Sequence, residues 1–173
     1  MRLAALVLAA TAAIAAPALA MQISSADLQP NAVIAPAQIY PRCGGQNVSP
    51  ALAWSGAPAG TVSLVLTMID VDAKPAFWSH WIVVGLPPAT TSLPRGVAAL
   101  PAGAHAVAGN FGDAAYDGPC PPLGSGVHHY QFTIWAMPET AISIGANAPA
   151  NEVLSTLLRT SSAHATLVGT AQR

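Results

Sequence analysis

The sequence predicts a single mostly-β domain with one helix close to its C-terminal end. Two stretches, Thr61 to Ile69 and Ser79 to Leu86, are almost continuously apolar and rich in β-branched residues, as strands buried on both faces are. A third, His129 to Met137, alternates Tyr130, Phe132, Ile134 and Ala136 with Gln131, Thr133 and Trp135, the two-residue period of a strand. The 14 glycines and 16 prolines fall largely between such runs, where they mark turns. One stretch alone, Ala148 to Ser161, carries persuasive helical spacing.

Residues 1–20 stand apart from this domain. Arg2 precedes an apolar run from Leu3 to Ala16 broken by Thr11, and Ala18-Leu19-Ala20 suits signal-peptide cleavage, so Met21 is expected to begin the mature chain. The run is shorter than the roughly 20 strongly apolar residues of a membrane span, which leaves an uncleaved N-terminal anchor as the lesser alternative. No later segment approaches spanning length. Residues 21–173 suit one domain with its own core, exported to the periplasm or secreted. They hold five basic residues (Arg42, Lys74, Arg95, Arg159, Arg173) against seven acidic ones, scattered along the chain, which argues against nucleic-acid binding. The two cysteines, Cys43 and Cys120, are an even number in an exported chain and are expected to be bridged; two separate buried thiols are the alternative.

Taken in order, Met21 to Ile39 reads as an extended segment interrupted by Pro30 and Pro36. Tyr40 to Pro50 is dense in turn formers and reads as loop; Asn47-Val48-Ser49 matches a glycosylation sequon but is expected to be a turn. Ala51 to Trp54 is a short apolar piece, and Gly56 to Gly60 a second turn. The first buried strand ends in Asp70-Val71-Asp72, followed by a short turn expected to carry Trp78 and His80. The second buried strand is stopped by Pro87-Pro88, because proline cannot donate to a sheet ladder. Thr90 to Gly109 reads as loops with one or two short strands. Asn110 to Gly126 is a long Gly/Pro loop, of the kind that in a compact domain is usually functional or disordered. In the helix, Asn147 is the expected cap, Pro149 suits the first turn and Glu152 lies near the positive dipole end. Val153, Leu154, Leu157 and Leu158 form its core-facing stripe, and His164 to Thr170 closes the chain as a strand.

Polar chemistry gathers in three places: Asp70-Val71-Asp72 with Trp78-Ser79-His80, Tyr116 to Gly124, and Val127-His128-His129-Tyr130. In a strand, Asp70 and Asp72 share a face, as do His128 and Tyr130, so each pair can line one side of a cavity. The residues admit a metal site, a hydrolytic site or a binding pocket. Against metal, no His-x-x-x-His or His-Glu-x-x-His spacing occurs. Against nucleophilic catalysis, Gly-x-Ser-x-Gly is absent and Cys120 lies between prolines. Acid–base work by an Asp–His pair stays open, as does plain hydrogen bonding between loops.

The three segments together resemble the phosphatidylethanolamine-binding protein family, in its bacterial Raf-kinase-inhibitor-like branch. Asp70-Val-Asp72-Ala73 and Trp78-Ser-His80-Trp81-Ile-Val-Val stand where that family has Asp-Pro-Asp-Ala-Pro and a histidine before a buried strand. Tyr116-Asp-Gly-Pro-Cys-Pro-Pro-x-Gly and Val127-His128-His129-Tyr130 stand where it has Gly-x-Pro-Pro-x-Gly and His-Arg-Tyr. Asn47-Val-Ser-Pro-Ala-Leu-Ala-Trp54 and Ala165-Thr-Leu-Val-Gly169 fit the bacterial branch, so the likeness covers nearly all of residues 22–172.

The resemblance implies a PEBP-like fold: a large central β-sheet, a smaller flanking sheet, a C-terminal helix and a pocket for an anionic head group. Carried over by position, the pocket is lined by Asp70, Asp72, Trp78, His80, Gly118, Pro121, His128 and Tyr130. Phosphate needs donors, which His128, Tyr130 and loop N–H groups can supply, while a nearby Asp favours the protonated, donating imidazole. Asp70 is also a possible acceptor for an amine head group. Departures from the family are Val71 and Lys74 in place of two prolines, with Pro75 one residue late, and His129 in place of arginine. Lys74 is free to pair with Asp72, to meet the anion or to stay solvated.

The expected function is non-catalytic binding of a small anionic ligand or phospholipid head group, with no cofactor and no metal. The alternatives are an inhibitor or regulator of a protein partner and, further off, an Asp/His hydrolase. Monomer and homodimer are both open.

Overall fold

The computed structural model describes residues 20–139 and 142–173. The expected leader, residues 1–20, lies outside the described residues except for Ala20. Among the described residues, eight strands form two antiparallel sheets. The large sheet has the order β6 (His105–Ala106), β4 (Trp78–Leu86), β3 (Ser63–Asp70), β7 (His128–Met137), β8 (Ala163–Ala171). The small sheet has the order β1 (Gln22–Ser25), β2 (Leu52–Ser55), β5 (Ser92–Leu93). Helix α1 spans Ala150–Thr160.

The strand pattern explains the layering. β3 sits at the centre of the large sheet, and every one of its residues is buried. Leu64, Leu66 and Met68 join Trp81, Val83, Phe132, Ile134 and Leu167 in a core shared with Leu52, Trp54 and Leu93 of the small sheet. Val65 points the other way and meets Ile82, Val84, Trp135 and Met137 beneath Val153 and Leu157 of the helix. Both faces of β3 therefore need apolar side chains, and the two-residue period disappears from its sequence. Thr67, a polar residue on this face, accepts from the Trp135 indole N–H at 3.0 Å.

The helix differs in two details. Asn147 is not its cap: it has φ 59°, and the N-cap residue is Pro149, whose carbonyl accepts from Glu152 and Val153. Leu158 is 59 % exposed, because contact with the sheet runs through Ala150, Val153 and Leu157, a narrower stripe than the leucine pattern suggests. The expected turn also shrinks to 71–77, since Trp78 and His80 already belong to β4.

Candidate functional site

The three central strands end together. Asp70, the last residue of β3, is opposite Trp78 of β4 on one side and Tyr130 of β7 on the other. Met68 pairs with Trp81 and Ile69 with Ser79, so His80 is an extra residue in β4. Such a bulge breaks the alternation and re-aims a side chain, here placing His80 edge-on to Tyr130 with ring centroids 5.1 Å apart.

Around this end lies a cavity of about 620 Å³. Asp70, Asp72, Trp78, His80, Pro121 and His128 line it together. Gly118 and Tyr130, expected in the wall, stand behind it. Gly118 is a close-approach position: a Cβ there would strike the backbone of Gln38 and Tyr40. Tyr130 is wholly buried, and its hydroxyl has no hydrogen-bond partner among the described residues. Tyr40, Arg42, Phe111 and Arg173 are wall residues that sequence reasoning passed over. Arg42 precedes Cys43, so the expected bridge was one signal for it. Arg173 arrives because β8 pairs with β7, His128 opposite Ala171, which nothing local announces.

The Gly/Pro loop is held by specific contacts. Cys43 and Cys120 form a disulfide with Cα atoms 5.5 Å apart, pinning the 40–50 loop to the cavity wall. Asn47, whose φ of 56° is accessible to asparagine, clamps the same junction. Its Oδ1 accepts from the Gly118 N–H (2.7 Å) and its Nδ2 donates to the Tyr116 carbonyl (2.9 Å). The Tyr116 hydroxyl donates to the Gln38 carbonyl at 2.9 Å. At the loop's start, Asn110 Oδ1 accepts from the backbone N–H and hydroxyl of Ser79, bringing Phe111 over Tyr40, Trp78 and His80.

Two Asp–His contacts dominate the polar side. Asp70 Oδ2 accepts from His128 Nδ1 at 2.7 Å, while Oδ1 accepts the N–H groups of Asp72 and Ala73 at 2.9 and 3.1 Å. Asp70 thus already accepts three protein N–H groups across its two oxygens. Asp72 Oδ2 accepts both the backbone N–H and the ring Nδ1 of His129, each at 2.7 Å. Burial works against ionisation of Asp72, but the His129 hydrogen bonds outweigh it and hold the carboxyl below its usual range. His129 thus takes the partner that Lys74 was a candidate for, and Lys74 lines the cavity instead.

The two cavity histidines differ in their ring hydrogen bonds. Burial brings His80 down to about 4, so its ring is neutral at physiological pH. Its Nδ1 faces the Asp117 carbonyl at 2.9 Å and must donate there, which leaves Nε2 an acceptor. His128 directs Nδ1–H at Asp70 in either protonation state, so its Nε2 donates only as imidazolium. Behind His80, burial with Asp113 alongside pushes the Asp117 carboxyl up to about 7. Burial and the neighbouring Asp70 charge push the Tyr130 phenol upward, so that hydroxyl stays protonated. Among the described residues no cluster of three or more His, Cys, Asp or Glu side chains is placed to hold a metal.

Comparison with known proteins fits this architecture. The profile of the family described as phosphatidylethanolamine-binding protein matches residues 24–172. LppC of Mycobacterium tuberculosis, named as a lipoprotein, is 40 % identical over 136 residues, covering 79 % of this chain and 66 % of LppC. The chain thus spans about two thirds of that relative's length. YbcL of Escherichia coli is 38 % identical over 141 residues, 77 % of each protein. Its crystal structure, described as that of a new member of the mammalian PEBP family, superposes with a TM-score of 0.82 at 32 % identity, covering 90 % of this chain and 99 % of that one. With the two sheets, the C-terminal helix and a profile match across nearly the whole domain, the chain belongs to the phosphatidylethanolamine-binding protein family.

Proposed function

We propose that the protein binds a phosphate-type anion or a phospholipid head group in this cavity, outside the cytoplasm, and releases it unchanged. The observation that carries the reading is the buried Asp70–His128 pair in the cavity wall, 2.7 Å between Oδ2 and Nδ1. A buried carboxylate favours the imidazolium, and the imidazolium offers its remaining N–H to an anion. Against turnover, Cys120 is tied in the disulfide and the Ser125 hydroxyl donates to the Pro122 carbonyl, so neither is presented to an imidazole as a nucleophile. The extracytoplasmic site is supported by the disulfide, by a relative named as a lipoprotein, and by the leader pattern in residues 1–20.

Calorimetric titration with inorganic phosphate tests this. Heat with the parent and its loss in His128→Ala is the expected result. Undiminished heat in that variant would overturn the imidazolium donor. Steady release of nitrophenol from nitrophenyl phosphate, abolished in the same variant, would replace binding by hydrolysis.

A further inference from the structure

The charges around the cavity are unequally engaged. Both wall carboxylates already have donors: Asp70 from His128 and two backbone N–H groups, Asp72 from the ring and backbone of His129. Arg42 and Lys74 also line the cavity, and neither forms an ion pair among the described residues. Elsewhere, Arg95 is paired with Asp27 and Arg159 lies in the last turn of α1. Arg173 reaches the cavity too, with its guanidinium against the Cys43 and Cys120 sulfurs. A chain poor in cations thus places two unengaged ones in the wall of one cavity.

We infer that the cavity selects a phosphomonoester carrying two negative charges over a zwitterionic phosphoethanolamine head group. The inference rests on the anion-binding reading above and narrows its ligand class. An ethanolamine phosphodiester brings one negative charge and an ammonium. That ammonium would enter beside Arg42 and Lys74, where Asp70 already accepts three protein donors and Asp72, 40 % exposed, is screened by water, so repulsion from the two cations opposes it. A phosphomonoester carries about −1.5 to −2 charges at neutral pH and three terminal oxygens. It can accept from the buried imidazolium while both of its charges are attracted by the two exposed cations of the same cavity wall. The same chemistry occurs in soluble phosphate esters and in phosphatidate at a bilayer surface. The second source is open to the fold because Phe77, Trp78, Leu123 and Val127 are exposed in the segments leading to the cavity.

Calorimetry with glycerol 3-phosphate and glycerophosphoethanolamine gives a matched pair of soluble probes. Phosphatidylcholine vesicles doped with phosphatidate or with phosphatidylethanolamine give the lipid pair, read by co-sedimentation. The dianion is expected to bind at least about tenfold tighter in whichever arm contains the ligand, and to weaken with added salt. Arg42→Ala and Lys74→Ala, both exposed positions, are each expected to cost the dianion about three- to tenfold and the zwitterion less than about twofold. Binding in the soluble arm assigns a free ester, and binding confined to the vesicles assigns the lipid; either supports the preference. Equal affinities for dianion and zwitterion, both abolished by His128→Ala, would overturn this inference and leave the anion site standing. Unchanged dianion affinity in both cation variants would also overturn it. Silence in every arm would remove both readings.

Discussion

Two Asp–His pairs stand side by side at the ends of β3 and β7, alike in geometry and unlike in surroundings. Each joins Nδ1 to Oδ2 at 2.7 Å. The side chains of Asp70 and His128 are both 5 % exposed, whereas those of His129 and Asp72 are 48 % and 40 % exposed. Water competes for the outer pair and screens it, so the contact adds little to stability. The inner pair has lost its hydration, and removing one partner strands the other. The lesson is that contact distance does not rank these two pairs; burial does. Of the two, only the inner pair offers the desolvated donor that the proposed anion binding requires.

The comparison breaks most visibly at its carboxylates. Asp70→Ala is expected to cost about 3–5 kcal/mol in urea unfolding and to abolish phosphate binding, while Asp72→Ala costs less than about 1 kcal/mol. Equal losses would show that burial does not separate the pairs. Reduction of the Cys43–Cys120 bridge comes next. It closes a sequence separation of 77 residues, for which chain entropy predicts on the order of 4 kcal/mol. A drop in melting temperature with loss of phosphate affinity is expected, because the bridge holds the wall facing the inner pair. Cys43→Ser with Cys120→Ser should reproduce it.

Acid sharpens the inner side further. His80 falls to about 4 in the folded state against an ordinary 6.5, so its stabilising contribution is complete above 6.5 and is lost as pH falls towards 4. The loss is on the order of 3 kcal/mol if the shift is fully expressed. Asp117, raised to about 7, works in the opposite direction, since its folded form gains stability as pH falls below 7. The measurement is therefore the difference between parent and His80→Gln, which should gain relative stability across that window. A difference independent of pH would contradict the burial of a neutral ring. The smallest effect belongs to the outer pair. A double-mutant cycle on Asp72 and His129 is expected to give a coupling of about 0.2–1 kcal/mol that fades in molar salt. A larger, salt-resistant coupling would place this pair with the inner one.

Much of this was legible in the chain. The buried strands, the closing strand, the loop character of 110–126 and six of the eight expected wall residues follow from local pattern and family motif, because strand period and Gly/Pro punctuation are properties of neighbouring residues. Gly118 was assigned to the pocket for its place in a motif, yet it is needed where two backbones meet. Tyr130 shares the strand face of His128 as expected, but lies one layer deeper, and a two-residue period carries no information about depth. Asn47, expected as a turn, is also the clamp on Gly118, a contact between segments 71 residues apart.

The sequence by itself determined that this is a mostly-β domain with two apolar central strands, a pair of cysteines and a concentration of Asp and His at the strand ends. Those features rest on local chemistry: side-chain period, turn propensity and composition. The tertiary structure decided which aspartate meets which histidine, which of those pairs is dry, and which cations reach the cavity. It did so through the β-bulge at His80, the β7–β8 register that delivers Arg173, and the bridge that carries Arg42. Charge has its strength set by what surrounds it, and surroundings assembled from segments far apart in the chain are visible only once it has folded.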